Sequence, residues 1–344
     1  MDLSRYHRQI LFRAIGEEGQ NRLSQSRVLL CGCGALGTVL AETLVRAGVG
    51  FIRLVDRDFV EITNLQRQVL FDEQDLAEQL PKAVAATRKL NLINSQVVIE
   101  PHVADVSSGN VLTLAKDVDL ILDGTDNFET RFLLNDVSLE LGIPWVYGGC
   151  IGSHGQVMPI FPGETACLRC LMEDVPAPGT TETCDTAGIL GPTVNMIASL
   201  QAVQALKILA GRRDQVEASL HILDVWDGTL RKMSVKNLRD QGRCPACHQG
   251  ERAWLHGDRA SQTTVLCGRN AVQVSPHEKR SISLPDLAEK LRPSGKVTVN
   301  PFLIRLVVQD GAYELTIFSD ARAIIKGTDD PAAAKSLYAR YVGS

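Results

Sequence analysis

The first half of the chain alternates short apolar runs with amphipathic stretches. Arg27–Cys31 (RVLLC) is apolar and ends in glycine, which predicts a buried strand. Thr38–Ala47 has helical spacing and is closed by Gly48 and Gly50, predicting a helix. Phe51–Asp56 predicts a second strand, Pro81–Asn91 a helix with proline in its first turn, and Val97–Pro101 a third strand. Asp119–Asp123 (DLILD) predicts a fourth, Asn127–Leu141 a helix, and Trp145–Gly148 and Gly155–Ile160 further strands. Strands alternating with helices predict an α/β fold, a mainly parallel sheet flanked by helices on both faces with right-handed crossovers.

Elsewhere the pattern differs. Residues 1–26 read as polar-amphipathic helix, and 162–190, rich in Pro, Gly, Thr and Cys, as one long loop of the kind that often carries function. Pro192 opens a helix running to Ala210. Asn195, Gln201, Gln204 and Lys207 interrupt its apolar stretch, so it reads as a buried helix and not a membrane span. A hairpin is expected over 220–235. The boundaries expected are a first domain over 1–250, a polar linker over 251–260, and a small α+β domain over 261–344. That last unit reads as strand, helix (Leu284–Leu291), two strands with a turn near Asp310-Gly311, and a helix from Pro331.

Composition narrows the possible roles. The 344 residues carry a net charge of -4 and 5% aromatics. That argues against sequence-independent binding to nucleic acid, to anionic membranes or to single strands by base stacking. The N-terminus lacks the apolar core of a signal peptide, so the cytoplasm is the expected compartment. The nine cysteines are then expected in metal binding or thiol chemistry and not in a disulfide framework.

Several motifs carry chemistry. Gly32-Cys33-Gly34-Ala35-Leu36-Gly37 is a GxGxxG between a strand and a helix, where glycines let a phosphate approach the helix N-terminus. Asp56 ends the next strand, where an acid can bind a ribose hydroxyl. These features predict an adenine nucleotide without choosing between NAD and ATP. Asn64-Leu65-Gln66-Arg67-Gln68 follows, and Lys82 sits in the first turn of a helix, where a cation opposes the dipole unless an anion is near. Beside Arg67 and the glycine loop, that favours polyphosphate over a solvated lysine. Gly124-Thr125-Asp126-Asn127 lies at the carboxyl end of a strand. Asp126 could hold Mg²⁺, or cap the following helix in a D-x-x-E box with Glu129. Cys167-Leu168-Arg169-Cys170 and Cys244-Pro245-Ala246-Cys247 are two CxxC pairs that suit a closed, structural Zn²⁺ site better than redox chemistry. Cys184 belongs to neither pair. It reads either as a reactive loop thiol or as an ordinary half-buried cysteine. Cys31, Cys33 and Cys150 read as packing residues, and Cys267 is left open.

Together, Arg5-Tyr6-His7-Arg8-Gln9-Ile10, GCGALG, LVDRDFVEITNLQRQ, Pro81-Lys82, GTDN, CLRC, CDTAGILGP and CPAC resemble the ThiF/MoeB/HesA family over about residues 4–248. These are the bacterial relatives of ubiquitin-activating E1 enzymes. The resemblance implies a Rossmann-like E1/ThiF fold and a Mg·ATP-dependent adenylyltransferase. Its substrate would be the C-terminal Gly-Gly carboxylate of a small ubiquitin-like sulfur carrier, of thiamine or molybdopterin type. It implies that Arg67 and Lys82 cradle the phosphates with help from Asn64, that Asp126 binds Mg²⁺, and that Asp56 takes the ribose. It also places Gly32, Gly34, Ala35, Gly37 and Asn127 around the nucleotide. Arg8 matches an arginine that reaches into a neighbouring subunit, implying a homodimer. Cys184 matches a loop cysteine that in some members links covalently to the carrier. A cysteine desulfurase or other sulfur donor is the further partner implied. Ala35 stands where many members have glycine. Two other readings compete: E1-like activation for protein conjugation, and an NAD-dependent oxidoreductase, for which the sequence offers no plausible proton donor, His154 being the only central histidine.

Overall fold

The computed structural model describes residues 3–175, 184–240, 242–259, 263–266, 270–275 and 282–343. Two compact units divide the chain, Met1–Arg259 and Ala260–Ser344.

In the first unit the strands are β1 (Arg27–Cys31), β2 (Phe51–Val55), β3 (Val98–His102), β4 (Leu120–Asp123), β5 (Trp145–Ile151), β6 (His154–Ile160), β7 (Ser219–Asp224) and β8 (Thr229–Ser234). They form one sheet in the order β3-β2-β1-β4-β5-β6-β7-β8. The pairs from β3 to β5 are parallel, with Leu30 opposite Leu54 on one side and Leu122 on the other. From β5 onward the sheet turns antiparallel, because Ile151 pairs with His154 across a tight turn that only a hairpin accommodates.

The principal helices are α1 (Gly16–Gln25), α2 (Ala35–Ala47), α3 (Lys82–Ile93), α4 (Phe128–Leu141) and α5 (Gly191–Leu209). Alternate residues of each buried strand face opposite layers. Leu30, Leu54 and Leu122 join a core with Leu36, Leu40 and Leu44 of α2 and Val194, Ile197 and Ala198 of α5. Leu29, Val55 and Ile121 join the other, with Phe132, Leu134 and Val137 of α4. Each buried leucine contributes about 1.5–3 kcal/mol of transfer free energy. The polar positions of α5 that interrupt its apolar run do not all face water: Gln201 and Gln204 are buried. No helix among the described residues is long and apolar enough to cross a membrane.

Two expectations are corrected in this unit. The N-terminal segment is not one helix. A turn at Ser4–Tyr6 and a short helix at His7–Ile10 precede α1. Tertiary anchors fix this break: Tyr6 is buried, its hydroxyl accepts from Asn94 Nδ2 (2.8 Å), and Gln9 Nε2 donates to the Ala47 carbonyl (3.0 Å). Nor does the stretch 251–259 behave as a linker. Trp254 and Leu255 are buried, the Trp254 ring lies 5.6 Å from that of Phe132, and Asp136 Oδ2 accepts both their backbone N–H groups (3.0 and 3.3 Å).

The second unit is an antiparallel sheet of β9 (Thr263–Leu266), β10 (Ala271–Val274), β11 (Lys296–Val299), β12 (Leu303–Val308), β13 (Tyr313–Phe318) and β14 (Ala323–Lys326), ordered β11-β12-β13-β14-β10-β9. Helices α6 (Leu284–Leu291) and α7 (Pro331–Tyr341) pack on it through Ala288, Leu291, Ala334 and Leu337. The expected β12–β13 turn is present at Gln309–Gly311, with Asp310 in a left-handed conformation (φ 53°). Sequence reading found fewer strands, since β10, β11 and β14 span only four residues each and show no sustained alternation.

Candidate active site

Strand order reverses between β1 and β4, and in open α/β sheets the crevice at the carboxyl ends of such a pair receives ligands. The glycine motif follows β1 and the GTDN segment follows β4. These two loops press together. Gly32 has φ +91°, and a Cβ there would lie 2.4 Å from the Gly124 carbonyl oxygen; one on Gly37 would lie 1.9 Å from that of Gly32. At Gly34, the N-cap of α2, a Cβ would meet only Gln68 Nε2, at 4.0 Å. The cradle at the N-terminus of α2 is open, with first-turn N–H groups pointing into it. Ala35 is the first residue of α2, where a methyl group is compatible with the helix.

Asp56, just past β2, is half-buried. It accepts the Cys33 N–H at Oδ2 (2.6 Å) and the Asp58 N–H at Oδ1 (2.7 Å), tying the end of β2 to the glycine loop. Burial pushes its carboxyl above the usual carboxylate range, opposed by the Lys82 charge. Lys82 is 3% exposed. Pro81 proves to be the N-cap of α3 and Lys82 its first residue. The Lys82 ammonium lies 3.3 Å from Asp58 Oδ2, and its backbone N–H donates to the Asp58 carbonyl (2.8 Å). Arg57 pairs with Asp105 (3.0 Å), lies 3.7 Å from Asp58 Oδ1, and feels the charge of Asp126. A buried lysine at a helix N-terminus is expensive unless anions surround it. Asp58 supplies one, and an incoming phosphate would supply another. Sequence reading missed Arg57, Asp58 and Asp105. The local signal was the Asp-Arg-Asp run, but Asp105 lies far along the chain.

Asn64 is buried, and its Oδ1 accepts the Glu61 N–H (3.1 Å), closing the turn Ile62–Asn64. Arg67 is half-buried and donates from Nη1 to the Thr63 carbonyl (2.7 Å). Gln68, also missed, is 3% exposed and its Oε1 has no hydrogen-bond partner. The Gln68 atom nearest the open cradle is the donor Nε2, which fits a ligand rich in acceptor oxygens there. The cradle, the Gln68 amide nitrogen and the buried lysine together fit a nucleotide polyphosphate.

The Asp126–Glu129 capping box, one of two readings of Asp126, gives way to a different N-cap. Asn127 occupies the N-cap of α4, and its Oδ1 accepts the Thr130 N–H (2.8 Å). Its extended backbone (φ -130°, ψ 148°) suits that position. Asp126 is exposed at the crevice, where Arg57 and Arg131 both feel its charge. Its carboxylate chemistry suits a hard divalent cation.

Arg8 is exposed on the His7–Ile10 helix, beside exposed Leu11 and Phe12. Cys184 opens a short helix, Cys184–Ala187; its side chain, like Cys267, lies outside the described residues. The segment after it is held to the β5–β6 turn, with the Gly152 N–H donating to Gly188 O (2.9 Å) and the Leu190 N–H to Gly152 O (3.0 Å).

The two CxxC pairs converge. Cys167 Sγ lies 3.8 Å from Cys170 and 3.6 Å from Cys244, and Cys170 lies 3.4 Å from Cys247. All four sulfurs are within 4.8 Å of one another. Four thiolates at about 2.3 Å around one tetrahedral ion would stand about 3.8 Å apart. Donor set and spacing therefore fit zinc.

Residues 6–246 match the ThiF family. The chain is 42% identical over 340 residues to the sulfur carrier protein ThiS adenylyltransferase of Bacillus subtilis, covering 98% of this chain and 99% of that protein. It is 39% identical over 251 residues to a sulfur carrier protein adenylyltransferase of Thermus thermophilus, covering 72% and 91%. Among solved structures, E. coli MccB with ATP superposes with a TM-score of 0.59 at 22% identity, over 71% of this chain and 73% of that one, a likeness of fold.

Proposed function

The chain belongs to the ThiF family, and from that premise we propose that it adenylylates the C-terminal Gly-Gly carboxylate of a small ubiquitin-like sulfur carrier at the expense of ATP. The observation that carries the reading is the buried Lys82 beside an open glycine cradle at the switch point of the sheet. The carrier carboxylate is ionised at neutral pH, so the first step needs no general base. One carboxylate oxygen attacks the α-phosphorus, a C–O–P linkage forms, and the bond to the β-phosphate breaks to release pyrophosphate. The work left to the protein is positioning and charge neutralisation.

Lys82, Arg67 and the N-terminus of α2 neutralise the phosphates, and Asn64 holds the turn that presents Arg67. Asp56 is already engaged by two backbone donors, so it orders the glycine loop while its edge takes the ribose. Asp126 would hold Mg²⁺, which neutralises the leaving phosphates when bound. Open space for the tail of the carrier lies at Gly152, where a Cβ would meet nothing within 4 Å, whereas one on Gly148 would lie 2.1 Å from the Gln201 side chain that packs there. The four cysteines would hold Zn²⁺ as a structural clamp between 167–170 and 244–247. Arg8, Leu11 and Phe12, exposed on a segment anchored by Tyr6, suit contact with a second copy of the chain, and Arg8 would complete the neighbouring site. Cys184 serves later thiol chemistry with the carrier or a sulfur donor.

The test is carrier-dependent exchange of pyrophosphate into ATP, using thiamine-type and molybdopterin-type carriers. Exchange with at least one carrier is expected, and trimming that carrier's last glycine should abolish it. Exchange indifferent to the trimming would overturn the reading.

A further inference from the structure

Arg131, on α4, is 8% exposed and makes no use of its charge at the surface. Its Nε lies 3.2 Å from Asp123 Oδ2, while Nη2 donates to two backbone carbonyls, Thr125 (2.8 Å) and Gly148 (3.3 Å). Asp123 is itself fully buried. Its Oδ1 takes the Thr125 N–H (2.9 Å) and hydroxyl (2.7 Å), and Gln201 Nε2 donates to its carbonyl (2.9 Å). The guanidinium carbon lies 5.4 Å from the centroid of the Phe128 ring and 5.6 Å from that of Tyr147. A Cβ on Gly149 would stand 3.4 Å from Nη2. The planar fork of arginine can hold a carboxylate and two carbonyls in one fixed plane, which a lysine cannot.

The carbonyls bridged by Nη2 belong to two different segments, the loop after β4 and strand β5. Thr125 immediately precedes Asp126, and Gly148 lies on β5, which runs parallel to β4 toward the same crevice and ends beside Gly152, the open position proposed for the tail of the carrier. One nitrogen thus sets the separation between the loop facing the nucleotide and the strand facing the attacking carboxylate. We propose that Arg131 is a positioning residue that fixes the distance between the two reactants, acting through Thr125 and Gly148 and not by touching either. This rests on the adenylylation reading. Reacting atoms must approach to about 3–3.5 Å, and a displacement of about 1 Å costs up to a hundredfold in rate.

The experiment compares the full-length protein with Arg131→Lys, which keeps a cation opposite Asp123 but not the fork. Expected are an intact fold by circular dichroism, metal-free ATP affinity within about threefold by calorimetry, and kcat for carrier adenylylation reduced roughly tenfold or more. The gain in ATP affinity on adding Mg²⁺ should also shrink, as the Asp126 loop loosens. A Lys variant with wild-type kcat and wild-type Mg²⁺ gain overturns the proposal, as does a uniform loss of ATP binding and turnover in step with lost stability. Should that variant not fold, Asp123→Asn, nearly isosteric, is expected to show the same split, and wild-type behaviour in it overturns the proposal. If the wild-type protein adenylylates no carrier, the functional reading fails on its own, and the calorimetric Mg²⁺ gain still decides whether Arg131 positions the loop.

Discussion

Asp126 and Asn127 are neighbours with separable duties. Asn127 caps α4, so Asn127→Ala should lower stability by about 1 kcal/mol, read from the denaturation midpoint. Asp126 lies one residue before that cap position. Asp126→Ala should leave the melting temperature unchanged and abolish adenylate formation; a stability loss without a loss of activity would return the residue to a structural role. The capping box suggested by Asp126 and Glu129 fails because the backbone leaves the helix one residue later, a choice sequence spacing does not reveal. Another residue-scale effect concerns pH. Arg53 and His102 hold Glu100 below the ordinary glutamate value of 4.5, at about 2, with the Arg53 hydrogen bond the larger cause. A depressed carboxylate stabilises the fold above the ordinary value and loses that contribution as pH falls through 2. Melting curves should therefore show wild type above Glu100→Gln from neutral pH down to about 4.5, with the gap closing by about pH 2. Glu100 is 41% exposed, so the gap is small. A gap that persists at the acid end would refute the assignment.

At the scale of elements, the strand-loop-helix units that build the site were legible because their signals are local. RVLLC, the glycine run and the helix after it lie within twenty-odd residues, and so do DLILD, GTDN and α4. What was not legible depends on partners distant in the chain. The polar stretch 251–259 looks like a linker until Asp136 is seen to accept the Trp254 and Leu255 N–H groups. Asp136→Ala should leave both donors buried and unpaired and destabilise the first unit by about 2 kcal/mol or more, whereas Asp136→Asn, which keeps an acceptor, should cost less. Equal losses in the two would show that packing, not the paired hydrogen bonds, holds the segment. The cysteine pairs were the reverse case: their spacing announced a metal, and the fold brings the four sulfurs together. One zinc per chain is expected by elemental analysis, and Cys244→Ser should lower both zinc content and thermal stability. Full stability after complete removal of zinc by chelation would count against a structural role.

At the scale of the molecule, the nucleotide crevice and the cysteine cluster both lie in Met1–Arg259, and Ala260–Ser344 has its own sheet and core. A chain ending at residue 259 should unfold cooperatively and still adenylylate its carrier. One ending at 250 should be markedly less stable, because it loses Trp254 and Leu255 from the core around Phe132. Equal stability for both would deny that the segment belongs to the first unit. The central claim, that this crevice joins AMP to the carboxyl end of a sulfur carrier, is tested most directly by intact-protein mass spectrometry. Thiamine-type and molybdopterin-type carriers would be incubated with Mg·ATP and either the wild-type protein or Asp126→Ala. The account predicts a mass increase of one adenylyl group on one of the carriers with the wild type and none with the variant. An adduct that forms equally well with Asp126→Ala, or no adduct on any Gly-Gly carrier while ATP binds, would contradict it.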